Sequence, residues 1–271
     1  MFLPLNAQVV AQAVPKTFQD LEVAKTQAFL DLDQFQEDWQ IDAEMPQQKL
    51  QIHRLTLKCG PKQYFLIEVD GAKVTEGEED ASTYWMVLVQ AKKYYQGKKS
   101  PAETSKPKAS ELQPKVGEHE FKFSFDSDKP IQFAANPPLK LESLALENNH
   151  DIENWKAVCS GIGKNGNSVR ITEWFRKDRW ILTRFKLEVQ AEEGKSVFTG
   201  ETTSQRFHCS EDDPRFIFNP ASVAGFDELK QGDAGAPQGG GAPAPSSRAN
   251  FAFWPAADVQ TVKWSQCLAQ N

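Results

Sequence analysis

The chain has 271 residues, 39% of them hydrophobic and 25% charged, and a net charge of −6, a composition typical of soluble globular proteins. No run approaches the roughly 18 apolar residues of a membrane span, which excludes a spanning helix, and the length leaves room for two domains of about 100–200 residues. With 18 phenylalanines and 7 tryptophans, the core must lean on aromatics.

At the N-terminus, Ala11-Gln12-Ala13 has the small-x-small form of a signal-peptidase site. The residues before it lack a basic start, and Asn6 and Gln8 interrupt their apolar run, so the reading is an ordinary N-terminus. A soluble, cytoplasmic or virion-associated location is expected over a secreted one.

Residues 1–91 read as an N-terminal β-rich region. Within it, 16–49 carries eight acidic groups against Lys16, Lys25 and Lys49. Phe29, Leu32, Phe35 and Trp39 fall near one helical stripe and predict a short acidic helix. Residues 49–58 alternate Leu50, Ile52, Leu55 and Leu57 with polar partners, a turn follows at Cys59-Gly60-Pro61-Lys62, and 63–70 reads as a second strand. Residues 76–80 read as an acidic loop whose spacing does not fit an EF-hand. The nearly continuous apolar run 83–90 predicts a central strand buried on both faces.

Residues 92–116 change character, with seven lysines and three prolines between 92 and 115 opposed only by Glu103 and Glu111. Such a segment cannot bury a core and reads as a linker or long loop. A β domain over 117–230 follows. In Glu118-His119-Glu120, strand alternation points His119 away from both carboxylates, so no metal site is expected. Phe121, Phe123 and Phe125 share one side of a strand, 131–134 forms a short one, and Asn136-Pro137-Pro138 breaks the chain.

The stretch 155–203 has the least structural freedom and predicts a four-stranded antiparallel meander. Asn165-Gly166 between β-prone runs signals a type I′ hairpin turn. Residues 167–176 put Val169, Ile171 and Phe175 on one face, with Glu173 as the misfit among them. Face matching predicts a three-residue loop at Lys177-Asp178-Arg179 that pairs Phe175 with Ile181, Ile171 with Phe185 and Glu173 with Thr183, with Asp178 or Arg179 in the left-handed region. A further turn at 192–195 and a polar strand over 196–203 complete the meander, and 215–220 reads as a last strand. The fold class is therefore mainly β, with antiparallel sheets in a sandwich or jelly-roll-like arrangement and few helices.

The opposite face of the meander gathers Arg170, Trp174, Arg176, Trp180, Arg184 and Lys186. Between 164 and 186 there are seven basic residues against Glu173 and Asp178. Cations interleaved with rings suit a single-stranded nucleic acid, the cations following phosphates while bases stack. The alternative is that Trp174 and Trp180 are buried under a second layer with the basic groups at its rim. Exposure of the two tryptophans decides between them, and the same test applies to a carbohydrate-binding sandwich.

Residues 231–250 are a Gly/Ala/Pro tether leading to an aromatic segment, 251–271, in which Phe251, Phe253, Trp254 and Trp264 need a surface on which to dock. Cys59, Cys159, Cys209 and Cys267 are too dispersed for a zinc site and are read as reduced, buried thiols, although an even count allows disulfides in an exported protein. No hydrolase, zincin or Walker motif occurs, and Gly161-Ile-Gly163-Lys-Asn-Gly166 leads into a strand instead of the helix that dinucleotide binding requires. No cofactor and no enzymatic activity are expected. The sequence points to a structural or assembly protein of a larger complex, such as a virion or tail, with protein partners or self-assembly and single-stranded nucleic acid as an alternative partner.

Overall fold

The first element is set by its cap. In this computed structural model, which describes residues 14–98, 114, 116–117, 120–125, 130–149, 152–162, 166–192 and 194–229, the Thr17 hydroxyl accepts from the Asp20 backbone N–H at 3.1 Å. The Asp20 carboxylate accepts from the Thr17 N–H at 3.0 Å. This reciprocal capping box starts helix α1, Phe18–Leu30. Phe18, Leu21, Glu22, Lys25 and Phe29 recur at helical spacing and form its buried face. The helix therefore ends before Phe35 and Trp39, which the stripe had included. Both instead lie on the buried face of a strand, where a period of two governs.

That strand is β1, Gln34–Met45, and it begins a run of hairpins through β2 (Gln48–Cys59), β3 (Lys62–Val69), β4 (Ala72–Glu79), β5 (Thr83–Leu88) and β6 (Lys93–Lys98). A separate two-stranded ribbon follows, β7 (Glu120–Ser124) with β8 (Gln132–Asn136). The second run is β9 (Lys140–Asn149), β10 (Ile152–Ile162), β11 (Ser168–Arg176), β12 (Leu182–Ala191) and β13 (Gly194–Arg206), and a short β14 (Asp227–Leu229) comes last. Both runs join through β1–β13 into one twelve-stranded sheet, ordered β14-β6-β5-β4-β3-β2-β1-β13-β12-β11-β10-β9. All its pairings are antiparallel except β14 with β6.

The protein is thus mostly β around a large antiparallel sheet. The strands follow sequence order within each run and lie in one sheet, not in the two facing sheets of a sandwich or jelly roll. A sheet this wide curls. Along one face, α1 and the β7–β8 ribbon cover a core containing Phe35, Trp39, Phe123, Phe133, Phe175, Phe185 and Phe198. On the other face, Leu57, Tyr64, Trp85 and Val87 lie under Phe216 and Val223 of the segment after β13.

The four-stranded meander is present, β10 to β13, but its register differs by two residues. Ile171 pairs with Leu187, Glu173 with Phe185 and Phe175 with Leu182, with a bulge between Trp174 and Phe175. A shift of two keeps every face as it was. Thr183 is the extra residue, and its hydroxyl donates to the Trp174 carbonyl at 3.1 Å. The positive φ of the turn falls on Trp180 (47°), not on Asp178 or Arg179. Trp180 turns inward there, stacked on Trp155 at 5.7 Å and edge-on to Phe175 at 5.8 Å. In the first hairpin, pairing of Ile162 with Ser168 has the parity of an odd-numbered loop, not of a two-residue turn. Gly166 takes φ +77°; Asn165 lies outside the described residues.

Four other expectations change. Residues 76–79 belong to β4, not to a loop. Strand β5 lies near one edge of the sheet, with only Trp85 and Val87 buried along it. Residues 215–220 form parts of two 3-10 turns, Pro214–Phe216 and Pro220–Val223, because Pro214 and Pro220 each sit at a turn start capped by Asp213 or Asn219. Cys59 and Cys209 are joined in a disulfide with Cα atoms 5.9 Å apart. Cys159 is free and buried, and Cys267 lies outside the described residues.

Candidate functional site

The misfit Glu173 has its explanation across the core. Its Oε1 meets the Lys25 ammonium at 2.7 Å, and the same ammonium meets Glu22 Oε1 at 2.6 Å; all three side chains are at most 2% exposed. The Phe133 backbone N–H donates to Glu22 Oε2 at 3.0 Å, and Lys25 lies 4.8 Å above the Phe133 ring. This triad therefore ties α1 to β11 and β8. Burial pushes the Glu22 carboxyl up to about 8 against the pull of Lys25. Two carboxylates and one ammonium would leave a net negative charge in a low-dielectric interior, and one proton on Glu22 removes it. Burial acts to lower the Lys25 pKa, but Glu173 and Glu22 outweigh it and hold the ammonium above its ordinary range. A second buried pair, Arg54–Glu37 at 2.9 Å, bridges β2 and β1.

Beside the triad, on the side of α1 facing β8, a groove of about 900 Å³ opens to the surface. Val14, Phe18, Val23, Ala24, Ala134 and Ala135 supply apolar lining, and Lys16, Gln19, Asp20 and Gln27 are among its polar lining residues. Val14 and Val23, 51% and 38% exposed, are two of the few large apolar side chains left open to solvent among the described residues. The small side chains Ala24, Ala134 and Ala135 fill little space where helix and ribbon meet.

The face of the meander expected to bind nucleic acid is occupied by its own partners. Trp174 is 8% exposed and Trp180 5%. The Trp174 indole N–H donates to Glu147 at 3.0 Å, and the Arg184 guanidinium lies 3.9 Å above its ring. Arg170 pairs with Glu142, Arg176 with Asp178 and Lys186 with Glu188. Trp180 is not on that face at all, being part of the core under α1. Strand β9, which the sequence reading passed over, supplies Glu142 and Glu147 and so neutralises the basic stripe. With both tryptophans buried, the nucleic-acid and carbohydrate readings lose their binding surface.

Elsewhere, His53 lies between Asp38 at 2.6 Å and Glu68 at 2.8 Å. Partial burial acts to lower its pKa, but its hydrogen bonds to the two carboxylates raise it overall. Phe251, Phe253, Trp254 and Trp264, with Glu118 and His119, lie outside the described residues. Sequence reasoning missed Lys25 and Glu22 as partners of Glu173. The available signal was a pair of mutually unexplained charges: an acid on an apolar strand face and a lysine on the apolar face of a helix.

No protein-family model and no curated protein matches the sequence. Among solved structures, the chain is similar to an uncharacterised conserved protein from Thermus thermophilus, at 9% identity and a TM-score of 0.41 over 79% of this chain and 98% of that one. It is also similar to a DUF1329 family protein from Desulfovibrio piger, at 14% identity and a TM-score of 0.29 over 74% and 95%. A LolA superfamily protein from Nitrosomonas europaea gives 12% identity and a TM-score of 0.29 over 74% and 97%. The expectations of a virion or tail assembly protein and of nucleic-acid binding are corrected: the similar structures are described as DUF1329 family and LolA superfamily proteins.

Proposed function

We propose that the protein is a non-catalytic carrier that holds a single acyl chain in the groove between α1 and β8. The observation that carries this reading is the groove itself. Its volume of about 900 Å³ lies in the range of small-molecule sites, its lining is mainly apolar, and Lys16 supplies a cation for an anionic headgroup. At about 0.8 kcal/mol per buried methylene, a chain of a dozen carbons gains about 9 kcal/mol before the cost of association, the driving force for saturable binding. The Cys59–Cys209 disulfide fits an oxidising compartment outside the cytosol, where an apolar molecule would need a carrier. Among the described residues no helix is long and apolar enough to cross a membrane.

The test is a titration of the full chain with a fluorescent fatty acid, competed by unlabelled dodecanoate. The half-exposed Val23→Glu substitution places a charge on the groove wall without touching the core, and binding should weaken at least tenfold while the thermal midpoint holds. Absence of saturable binding, or equal binding by V23E, would overturn the reading.

A further inference from the structure

Glu22 has two places in the molecule, as a member of the buried triad and as one of the residues lining the groove beside α1. Its Oε1 holds the Lys25 ammonium at 2.6 Å, and its Oε2 accepts from the Phe133 backbone N–H at 3.0 Å. Phe133 lines the groove as well, so this one buried carboxyl group ties the helix wall to the ribbon wall. A neutral tie lies beside it: the Thr26 hydroxyl accepts from Gln132 Nε2 at 2.9 Å and donates to the Glu22 carbonyl at 2.8 Å.

The groups that face the Glu22 carboxyl come from four elements. Helix α1 supplies Lys25, β11 supplies Glu173 and β8 supplies the Phe133 N–H. On β10, burial pushes the Cys159 thiol up, and Glu173 and Glu22 add to that push, so Cys159 stays neutral and brings no charge. Lys25 thus serves two acids. With Glu22 protonated the triad is neutral; with Glu22 ionised it carries one net negative charge.

The groove is open to the surface, and solvent in it screens the triad from that side. An acyl chain seated against Phe18, Val23 and Ala134 replaces that solvent with hydrocarbon. The exchange weakens the solvation of an ionised carboxylate and leaves a protonated one almost untouched. A ligand that disfavours the ionised form must, by linkage, bind the protonated form more tightly.

From this we infer that Glu22 couples the binding of an acyl chain in the groove to the uptake of a proton, so that the groove loads when Glu22 is protonated and releases when it ionises. The inference rests on the carrier reading of the same groove. Burial already holds the Glu22 carboxyl at about 8, and a bound chain raises it further. Affinity is therefore full below pH 8 and is lost as pH rises through it.

Calorimetric titration of the full chain with dodecanoate, kept monomeric and ionised throughout, tests this at pH 7, 8 and 9, each in two buffers of different ionisation enthalpy. At pH 8, where Glu22 is half protonated before binding, about half a proton should be taken up per chain bound, and Kd should be about fivefold to tenfold weaker at pH 9 than at pH 7. Glu22→Gln keeps an acceptor for the Phe133 N–H but has no proton to exchange, and its Kd should not change with pH. Should that variant fail to fold, the two-buffer comparison on the natural chain still decides. Saturable binding without proton uptake would overturn the coupling and leave the carrier reading standing. A pH dependence retained in full by Glu22→Gln would place the proton on another group and overturn the inference. Absence of saturable binding at every pH would overturn the carrier reading and the coupling together.

Discussion

The two faces of the sheet are closed by different means. Under α1, the core buries Glu22, Lys25, Glu173, Glu37 and Arg54 among its aromatics, and every one of these charges meets an opposite charge. Under the segment after β13, the core is small, and its cover consists of two 3-10 turns held to β2 by a disulfide. A helix with a capping box is a rigid cover that can be oriented by buried ion pairs, which specify one docking geometry more than they add stability. A short irregular cover has few buried atoms to hold it, and a covalent bridge supplies the restraint instead.

The most severe way to break the first core is Lys25→Met, which leaves two buried carboxyls without their cation. A loss of about 3–5 kcal/mol is expected from urea unfolding, with part of it recovered when Glu173→Met is added. On the other face, Cys59→Ser with Cys209→Ser opens a crosslink spanning 150 residues of chain, and about 2–4 kcal/mol should be lost in the same assay. If the double cysteine substitution cost clearly more than Lys25→Met in a protein whose α1 still protected its amides from exchange, the contrast between the covers would fail.

The triad also gives the protein a pH dependence of stated sign. Glu22 is raised to about 8 from an ordinary 4.5, so the native state binds its proton more tightly than the unfolded chain. The associated stability is complete below pH 4.5 and falls away as pH rises through 8. Urea midpoints measured from pH 6 to 9 should decline, and Glu22→Gln should flatten the decline.

A smaller effect sharpens the packing side of the comparison. Gly200 lies directly opposite Phe185, and a Cβ there would come within 2.1 Å of the Phe185 ring. Gly200→Ala should cost about 1–3 kcal/mol through overpacking. Smallest of all is Arg170→Ala on the outer face, where Arg170 is 51% and Glu142 35% exposed; less than about 1 kcal/mol is expected. A larger loss would mean that the charge ladder over β9–β12 is a structural cover and not a solvated rim.

Much of this architecture was legible because β-strands alternate with a period of two. Gln48–Cys59 and Lys62–Val69 are strands, four strands lie in the stretch 155–203, and the faces of Val169, Ile171 and Phe175 were placed correctly. Strand β9 was missed because its exposed outer side and half-buried inner side give weak contrast: Leu144 is only partly buried and Leu146 is 44% exposed. The groove beside α1 left no mark in local sequence, since the helix and the β7–β8 ribbon that form it are about 100 residues apart in the chain.

By itself, the sequence determined the class of the protein and the side of each strand that faces inward, because hydrophobic periodicity is a local property read within a few residues. Tertiary structure alone decided the register across the Trp174–Phe175 bulge, the partner of Glu173, the pairing of Cys59 with Cys209 and the burial of Trp174 under Arg184. Each of these depends on which distant group arrives across a core or a sheet. A two-residue slip preserves every local pattern, and a buried charge is tolerated only by a partner that here lies 148 residues away.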